Sequence, residues 1–137
     1  MVARFHEKIK NKRYDYIQKI TTDIVKKYDT IVIENLKVSN MVKNHRLAHK
    51  IEHQAWYEFR RKLEYKCAWY GKQLIIVDPK NTSRICSNCG KKNHDFDNLS
   101  QKQWLATRKW RCPNCHAHLD RDVNTAQNIL NKGLTLA

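Results

Sequence analysis

Cys86-Ser87-Asn88-Cys89, then 22 residues, then Cys112-Pro113-Asn114-Cys115, and within seven more residues Asp120-Arg121-Asp122: this stretch organises the 137-residue chain. Two Cys-x-x-Cys pairs place four thiolates on two tight turns, the donor set a tetrahedral Zn²⁺ accepts at Zn–S distances of about 2.3 Å. Four protein ligands close the coordination sphere and leave no position for a catalytic water. Cys86, Cys89, Cys112 and Cys115 are therefore expected to hold a structural zinc. The competing reading is two disulfides, or four thiols that never meet. Disulfides need an oxidising compartment, and the N-terminus, Met1-Val-Ala-Arg-Phe-His-Glu7, runs into charged helix without a signal-peptide pattern. Zinc in a reducing, cytoplasmic setting is the reading adopted. Cys67 shares a helix face with Trp56, Phe59, Leu63 and Tyr70 and is expected to be a small core residue.

The length gives room for one modest domain and a zinc-stapled module. The chain carries 27 Lys+Arg against 13 Asp+Glu, a formal charge of +14. The excess is uneven. Residues 79–119 hold 8 basic and 2 acidic side chains, whereas residues 120–137, which contain the Asp pair, hold 2 and 2. A basic body with an acidic spot suits a polyphosphate backbone held near bound Mg²⁺. No run approaches the ~18 apolar residues of a membrane-spanning helix, and no amphipathic segment is apolar enough to insert, so a membrane partner is not expected. Nucleic acid is.

Residues 3 to about 28 carry Ile9, Tyr16, Ile17, Ile20 and Ile24 at helical spacing. Thr30-Ile-Val-Ile-Glu34-Asn-Leu36 breaks that period with a β-branched run, a buried strand ending in a carboxylate. Residues 37–48 are polar and irregular. A second helix is expected from about Lys50 to Tyr70, with Gly71 as its left-handed cap. Gln73-Leu-Ile-Ile-Val-Asp78 is a second buried strand, stopped by Pro79. After the cysteine module, a last helix is expected over about 120–132, with Ala126, Ile129 and Leu130 as its apolar stripe and Gly133 beyond its end. Strands that do not alternate, separated by helices, predict an α/β fold with parallel strands.

The carboxylates carry the possible chemistry. Glu34 lies at the C-terminal end of its strand, where α/β folds gather their sites. Asp122 lies in the first turn of the last helix. Carboxylates converging on two Mg²⁺ ions about 4 Å apart are the equipment for phosphodiester hydrolysis. A helix-start acid satisfied by free N–H groups, and a strand-end acid paired with a lysine, are the plainer readings, and spacing leaves both open. Asp78 is expected to make a structural hydrogen bond at its strand end, and is the one local substitute for a further metal-binding carboxylate. His45, His49 and His53 recur every four residues, but the order is not that of a zinc protease, so a solvated or RNA-facing side is expected. His94-Asp-Phe-Asp97 reads as a polar loop. Trp104 and Trp110, among Lys102, Arg108, Lys109 and Arg111, either stack on bases or form the core under the zinc.

Ile33-Glu34-Asn-Leu36, Met41-Val-Lys43, Leu63-Glu-Tyr65-Lys66, Trp69-Tyr70-Gly71, Val77-Asp78-Pro79, Ser83-Arg84-Ile85-Cys86-Ser87-Asn-Cys89-Gly90 and Leu119-Asp-Arg-Asp122-Val-Asn124-Thr-Ala126, in this order, resemble the C-terminal half of the TnpB (OrfB) proteins of insertion sequences. These are RNA-guided DNA endonucleases with a RuvC-like, RNase H-type nuclease domain, related to type V CRISPR effectors. The resemblance implies an incomplete RNase H-like parallel-sheet domain over residues 1–80, an inserted zinc ribbon over 81–118, and the last helix of the nuclease domain over 119–137. It makes Glu34 the family's second catalytic carboxylate and Asp122 its third, both holding Mg²⁺ or Mn²⁺. Arg84, Lys109, Arg111 and Arg121 become candidates for nucleic-acid contact, with DNA and a guide RNA as partners.

Two departures concern the ribbon: His116 stands where the family usually has glycine, and the loop between the pairs is long. A third concerns catalysis. The family's first catalytic Asp is not supplied by the residues before Glu34, since Asp15 and Asp23 lie on a helix and Asp29 in the turn before the strand. The chain is thus expected to be a C-terminal piece that does not cut alone, with the edge of the Glu34 strand open to self-association. A zinc-ribbon module that binds nucleic acid without cutting it is the alternative function.

Overall fold

The computed structural model describes residues 2–36 and 47–136, except the side chains of residues 47–53 and Gln101. Met41-Val42-Lys43, His45 and the side chains of His49 and His53 lie outside what is described. The elements are α1 (Val2–Lys27), β1 (Thr30–Glu34), α2 (Leu47–Tyr70), β2 (Gln73–Val77), a 3₁₀ turn (His94–Phe96), α3 (Gln101–Ala106), β3 (Lys109–Arg111), β4 (His118–Asp120) and α4 (Arg121–Leu136). They form two compact units, residues 1–31 with 36–75, and residues 32–35 with 76–137.

In the first unit α1 packs on α2. Its buried positions are Ile17, Thr21 and Val25, four residues apart. The expected apolar stripe is corrected on two residues, because Ile9 and Tyr16 face solvent. Apolar spacing alone set the wrong phase; the helix turns to α2 the face that can also answer two buried lysines. Lys66 Nζ donates to the Gln18 carbonyl (2.9 Å), Thr21 Oγ1 (2.7 Å) and Thr22 Oγ1 (2.9 Å). Lys62, 0% exposed, reaches Glu58 Oε2 at 3.3 Å and lies 3.7 Å from the centre of the Tyr14 ring. A buried ammonium is tolerable only with such partners. Burial holds the Lys66 amine below the ordinary lysine range. Leu63 and Cys67 fill the apolar remainder, as expected of Cys67.

Gly71 ends α2 at φ 66°, and the Lys72 amide donates to the Cys67 carbonyl at 2.8 Å. That six-to-one bond is a Schellman cap, which needs a residue without Cβ strain at this position. β1 and β2 are hydrogen-bonded neighbours. Gln73 N donates to Asp29 O (2.9 Å) and Asn35 N to Val77 O (2.7 Å). Both partners advance together along the chain, so the strands are parallel, as their unbroken apolar runs predict.

In the second unit α4 departs from expectation. It runs through Gly133 to Leu136, and its buried residues are Asn124, Ile129 and Gly133. Ala126 and Leu130 face solvent. Gly133 is not a cap: a Cβ there would stand 2.6 Å from Val32 Cγ2. The glycine lets the helix lie against β1.

Candidate metal centre and carboxylate site

The two cysteine turns share one geometry. In the first, Gly90 N donates to Cys86 O (2.8 Å) and Cys86 N to Lys91 O (3.0 Å). In the second, His116 N donates to Cys112 O and Cys112 N to Ala117 O, both 2.9 Å. Gly90 and His116 are therefore equivalent, and both are left-handed, at φ 79° and 62°. The His116 departure keeps the turn intact, since histidine visits this region more readily than most residues, at some cost in strain. The first turn leads to the bridge between Ile85 and Lys92, and the second lies within an antiparallel hairpin pairing Lys109 with Asp120, Trp110 with Leu119 and Arg111 with His118.

The four sulfurs all lie within 4.8 Å of one another. Cys86 Sγ is 3.6 Å from Cys115 Sγ, and Cys89 Sγ is 3.6 Å from Cys112 Sγ. Zinc–sulfur bonds of about 2.3 Å imply tetrahedral edges near 3.8 Å, so the set fits a zinc ribbon. Its electrostatics ask for a cation. Burial pushes the Cys86 thiol up to about 12, while the Asn88 side chain and the Ala117 amide hold Cys115 down to about 6. The Lys91 amide and the Asn114 side chain lower Cys89. Four adjacent thiolates become compatible once a metal supplies opposite charge.

The 22-residue insertion between the turns is folded. Asn93 caps the 3₁₀ turn by accepting from Asp95 N. Ser100 and Gln103 form a capping box that starts α3. Phe96 packs on Trp104 (ring centres 4.7 Å apart) and edge-on to Trp110 (5.4 Å), and Trp110 is buried with Cys86 and Cys112. Of the two readings of these tryptophans, the core under the cysteines holds for Trp110, with Trp104 in the same stack. The polar-loop reading of His94–Asp97 missed the turn. The signals were present in Ser100-x-x-Gln103 and in the aromatic at Phe96.

Asp120-Arg121-Asp122 divides into three tasks. Asp120 Oδ1 accepts from Asp122 N (3.0 Å) and Val123 N (3.1 Å), which makes it the residue that satisfies the start of α4. That leaves Asp122 free of capping duty, its side chain 85% exposed. Arg121 Nη1 donates to Trp104 O (2.9 Å) and Leu105 O (2.7 Å), and Nε reaches Asp122 Oδ1 at 3.3 Å. Arg84 pairs with Asp97 at 3.3 Å and lies over Trp104. Among the expected nucleic-acid contacts, Lys109 and Arg111 are exposed, although Arg111 Nε also donates to His116 O at 3.4 Å, whereas Arg84 and Arg121 are engaged within the ribbon.

A polar ladder on α4, absent from the sequence reading, fastens the segment between β2 and the first cysteine turn. Asn124 Nδ2 donates to Ile85 O and its Oδ1 accepts from Ser87 N, both 2.8 Å. Asn128 Nδ2 donates to Thr82 O (2.8 Å) and Ile85 O (2.7 Å). Lys132 Nζ donates to Asp78 O (2.8 Å) and Lys80 O (3.2 Å). Steps of four put all three on one side of the helix.

Glu34 ends β1 half-buried, and burial raises its carboxyl above the ordinary range. Asp78 Oδ1 accepts from Lys80 N at 3.0 Å, the structural bond expected of it. Among the described residues, the cysteines are the one group of three or more candidate ligands that converges. Glu34 and Asp122 do not belong to such a cluster. Carboxylates are the class of oxygen donor that Mg²⁺ prefers.

A family model described as the Cas12f1-like TNB domain matches residues 56–129, more than half of the chain, and one described as a probable transposase, OrfB of IS605 type, matches residues 1–45. The chain belongs to the TnpB family, with its Cas12f1-like domain. A Streptomyces pristinaespiralis protein provisionally named an RNA-guided DNA endonuclease is 44% identical over 97% of this chain and 31% of its own length. Escherichia coli K12 InsQ, under the same provisional name, is 38% identical over 96% of this chain and 35% of its own. The TnpB-family chain therefore spans about a third of the length of these relatives. A solved Cas12f1–guide RNA–target DNA complex superposes with a TM-score of 0.71 at 26% identity, covering 95% of this chain and 36% of that protein. The mixed helix–strand fold with parallel strands and a cysteine cluster agrees with that likeness. No described helix is long and apolar enough to cross a membrane.

Proposed function

We propose that this chain is the part of a TnpB-type RNA-guided DNA endonuclease that grips DNA and contributes Glu34 and Asp122 to an RNase H-like, RuvC-type metal site. On this reading residues 1–80 and 119–137 belong to the nuclease domain and 81–118 are its zinc ribbon. The observation that carries it is the division of labour at the start of α4: Asp120 takes the cap, so Asp122 is spared that duty and holds an exposed carboxylate beside Arg121.

Cys86, Cys89, Cys112 and Cys115 would hold Zn²⁺, which closes the ribbon and fixes the hairpin of β3 and β4. Lys109 and Arg111 then present positive charge on one face of that hairpin toward phosphates, while Trp110 anchors the other face. Mg²⁺ or Mn²⁺ would supply charge neutralisation at the scissile phosphate and a more acidic water. Glu34, desolvated, and Asp122, exposed, are the donors this chain offers. The outer edge of β1 has no strand partner among the described residues, which supports self-association or strand addition there.

A non-cutting zinc-ribbon binder is the second reading, favoured because neither Glu34 nor Asp122 belongs to a group of three candidate ligands among the described residues. Replacing the matching third of InsQ with these 137 residues separates the two. A chimaera that cuts guide-matched DNA, and loses cutting in Glu34→Ala and Asp122→Ala while still binding DNA, supports the nuclease reading. Cutting that survives both substitutions would overturn it.

A further inference from the structure

Arg121 joins two parts of the second unit that the chain itself separates. Its Nη1 holds the last carbonyls of α3, at Trp104 and Leu105. Its guanidinium lies 6.0 Å from the centre of the Trp104 ring, and its own amide donates to Arg108 O at 2.8 Å. From the same guanidinium, Nε reaches the Asp122 carboxylate. The side chain is 17% exposed, against 85% for Asp122. A guanidinium is planar and presents donors in fixed directions, so holding two carbonyls on one side sets where Nε points on the other.

We propose that Arg121 is a positioning residue that fixes the Asp122 carboxylate by tying the first turn of α4 to the end of α3, so that the insertion and the carboxylate move as one body. This rests on the reading of Asp122 as a metal ligand given above. Charge and geometry pull in opposite directions here. A cation beside Asp122 opposes a divalent ion, so if Arg121 acted by charge alone its removal would tighten metal binding. If it acts by positioning, removal loosens binding, and lysine, which keeps the charge and loses the fork, fails like alanine.

The test uses the zinc-loaded chain and its variants Arg121→Lys, Arg121→Ala and Asp122→Asn. Mn²⁺ is titrated while its broadening of the Asp122 and Val123 amide signals is followed, and amide hydrogen exchange is measured without Mn²⁺. The visible spectrum of the Co²⁺-loaded ribbon serves as the check that the cysteine centre is intact in each variant. The expected result is a Mn²⁺ midpoint raised several-fold in both Arg121 variants, with faster exchange at residues 104–107 and 122–123. Unchanged exchange in Arg121→Lys, or a midpoint that is unchanged in lysine and lower in alanine, would overturn the proposal. Broadening that persists in Asp122→Asn would instead remove Asp122 as a ligand, and the positioning role with it.

Discussion

Gly133 of α4 lies directly against Val32 of β1, with no room for a methyl group: a Cβ on the glycine would be 2.6 Å from Val32 Cγ2. Glycine inside a helix costs about 1 kcal/mol relative to alanine, so it is retained here for clearance. Gly133→Ala is expected to destabilise the zinc-loaded chain by about 1–2 kcal/mol, because the overlap outweighs the gain in helix propensity. Pairing it with Val32→Ala should recover part of the loss. Urea denaturation of the four proteins measures both effects, and a stabilised Gly133→Ala would refute the packing argument.

Where local chemistry set the structure, the sequence was legible. Gly71 after an apolar helix, the β-branched runs at 30–34 and 73–77, and the doubled Cys-x-x-Cys spacing each act over a few residues. Where tertiary partners chose the face, it was not. Thr21 is buried in α1 because Lys66 needs an acceptor, and Asn124 in α4 because Ile85 and Ser87 expose backbone groups. Counting apolar residues cannot find either position. Gly133 was misread for a related reason: glycine at a close approach and glycine at a cap look alike until Val32 is in place. For the site, the four ligands of the proposed zinc were readable from spacing, whereas the separate duties of Asp120, Arg121 and Asp122 needed the hydrogen bonds.

His116 occupies a left-handed backbone position that Gly90 fills in the equivalent turn. His116→Gly should stabilise the ribbon by up to about 1 kcal/mol, and Gly90→Ala should destabilise it by a similar amount. A Cβ at Gly90 meets nothing within 4 Å, so that loss would be backbone strain alone. Equilibrium denaturation at saturating zinc reads both. Equal stability of all three proteins would show that the turns do not need the conformation.

Removing zinc should unfold the ribbon. Four cysteines at these distances predict binding of a single Co²⁺ or Zn²⁺ per chain, with thiolate-to-cobalt absorption bands. Because the thiols must lose protons to bind, apparent affinity should fall as pH falls. Cys112→Ser should weaken binding by at least tenfold, an order-of-magnitude expectation for losing one of four ligands. Two ions per chain, or a spectrum without thiolate bands, would contradict the centre.

Glu34 gives a pH signature. Burial raises its folded-state pKa above the ordinary value of 4.5. The folded protein then holds that proton more tightly than the unfolded chain does. The neutral carboxyl's contribution is complete below the unfolded pKa and is lost as pH rises through the folded one. Glu34→Gln, which cannot ionise, should therefore be more stable than the wild type at neutral pH, with the difference shrinking as pH approaches 4.5. Urea midpoints across that window decide it. A difference that stays constant with pH would mean that ionisation of Glu34 carries no penalty.

The ladder Asn124, Asn128, Lys132 predicts a gradient. Asn124 is 1% exposed and answers both a carbonyl and an amide, so Asn124→Leu takes its acceptor from the Ser87 amide and leaves the Ile85 carbonyl to Asn128 alone. An unsatisfied buried group costs about 1–3 kcal/mol, and with the second bond to Ile85 also lost a cost of about 2–3 kcal/mol is expected. Asn128→Leu removes bonds to two carbonyls, one of them the Ile85 oxygen that Asn124 also reaches, and should cost about 1–2 kcal/mol. The bonds of Lys132 to Asp78 and Lys80 are exposed, where water can replace the lost donor, so Lys132→Met should cost less than about 1 kcal/mol. Asn124→Asp separates hydrogen bonding from shape: it keeps the acceptor for Ser87 and turns the donor into a second acceptor facing the Ile85 carbonyl. It should be nearly as damaging as leucine above the pKa of the new carboxyl and milder below it, where the acid can donate. Denaturation midpoints for the set test the order. If Lys132→Met proved the costliest, α4 would be held by its exposed end, and the buried ladder would not be what fixes the helix to the first cysteine turn.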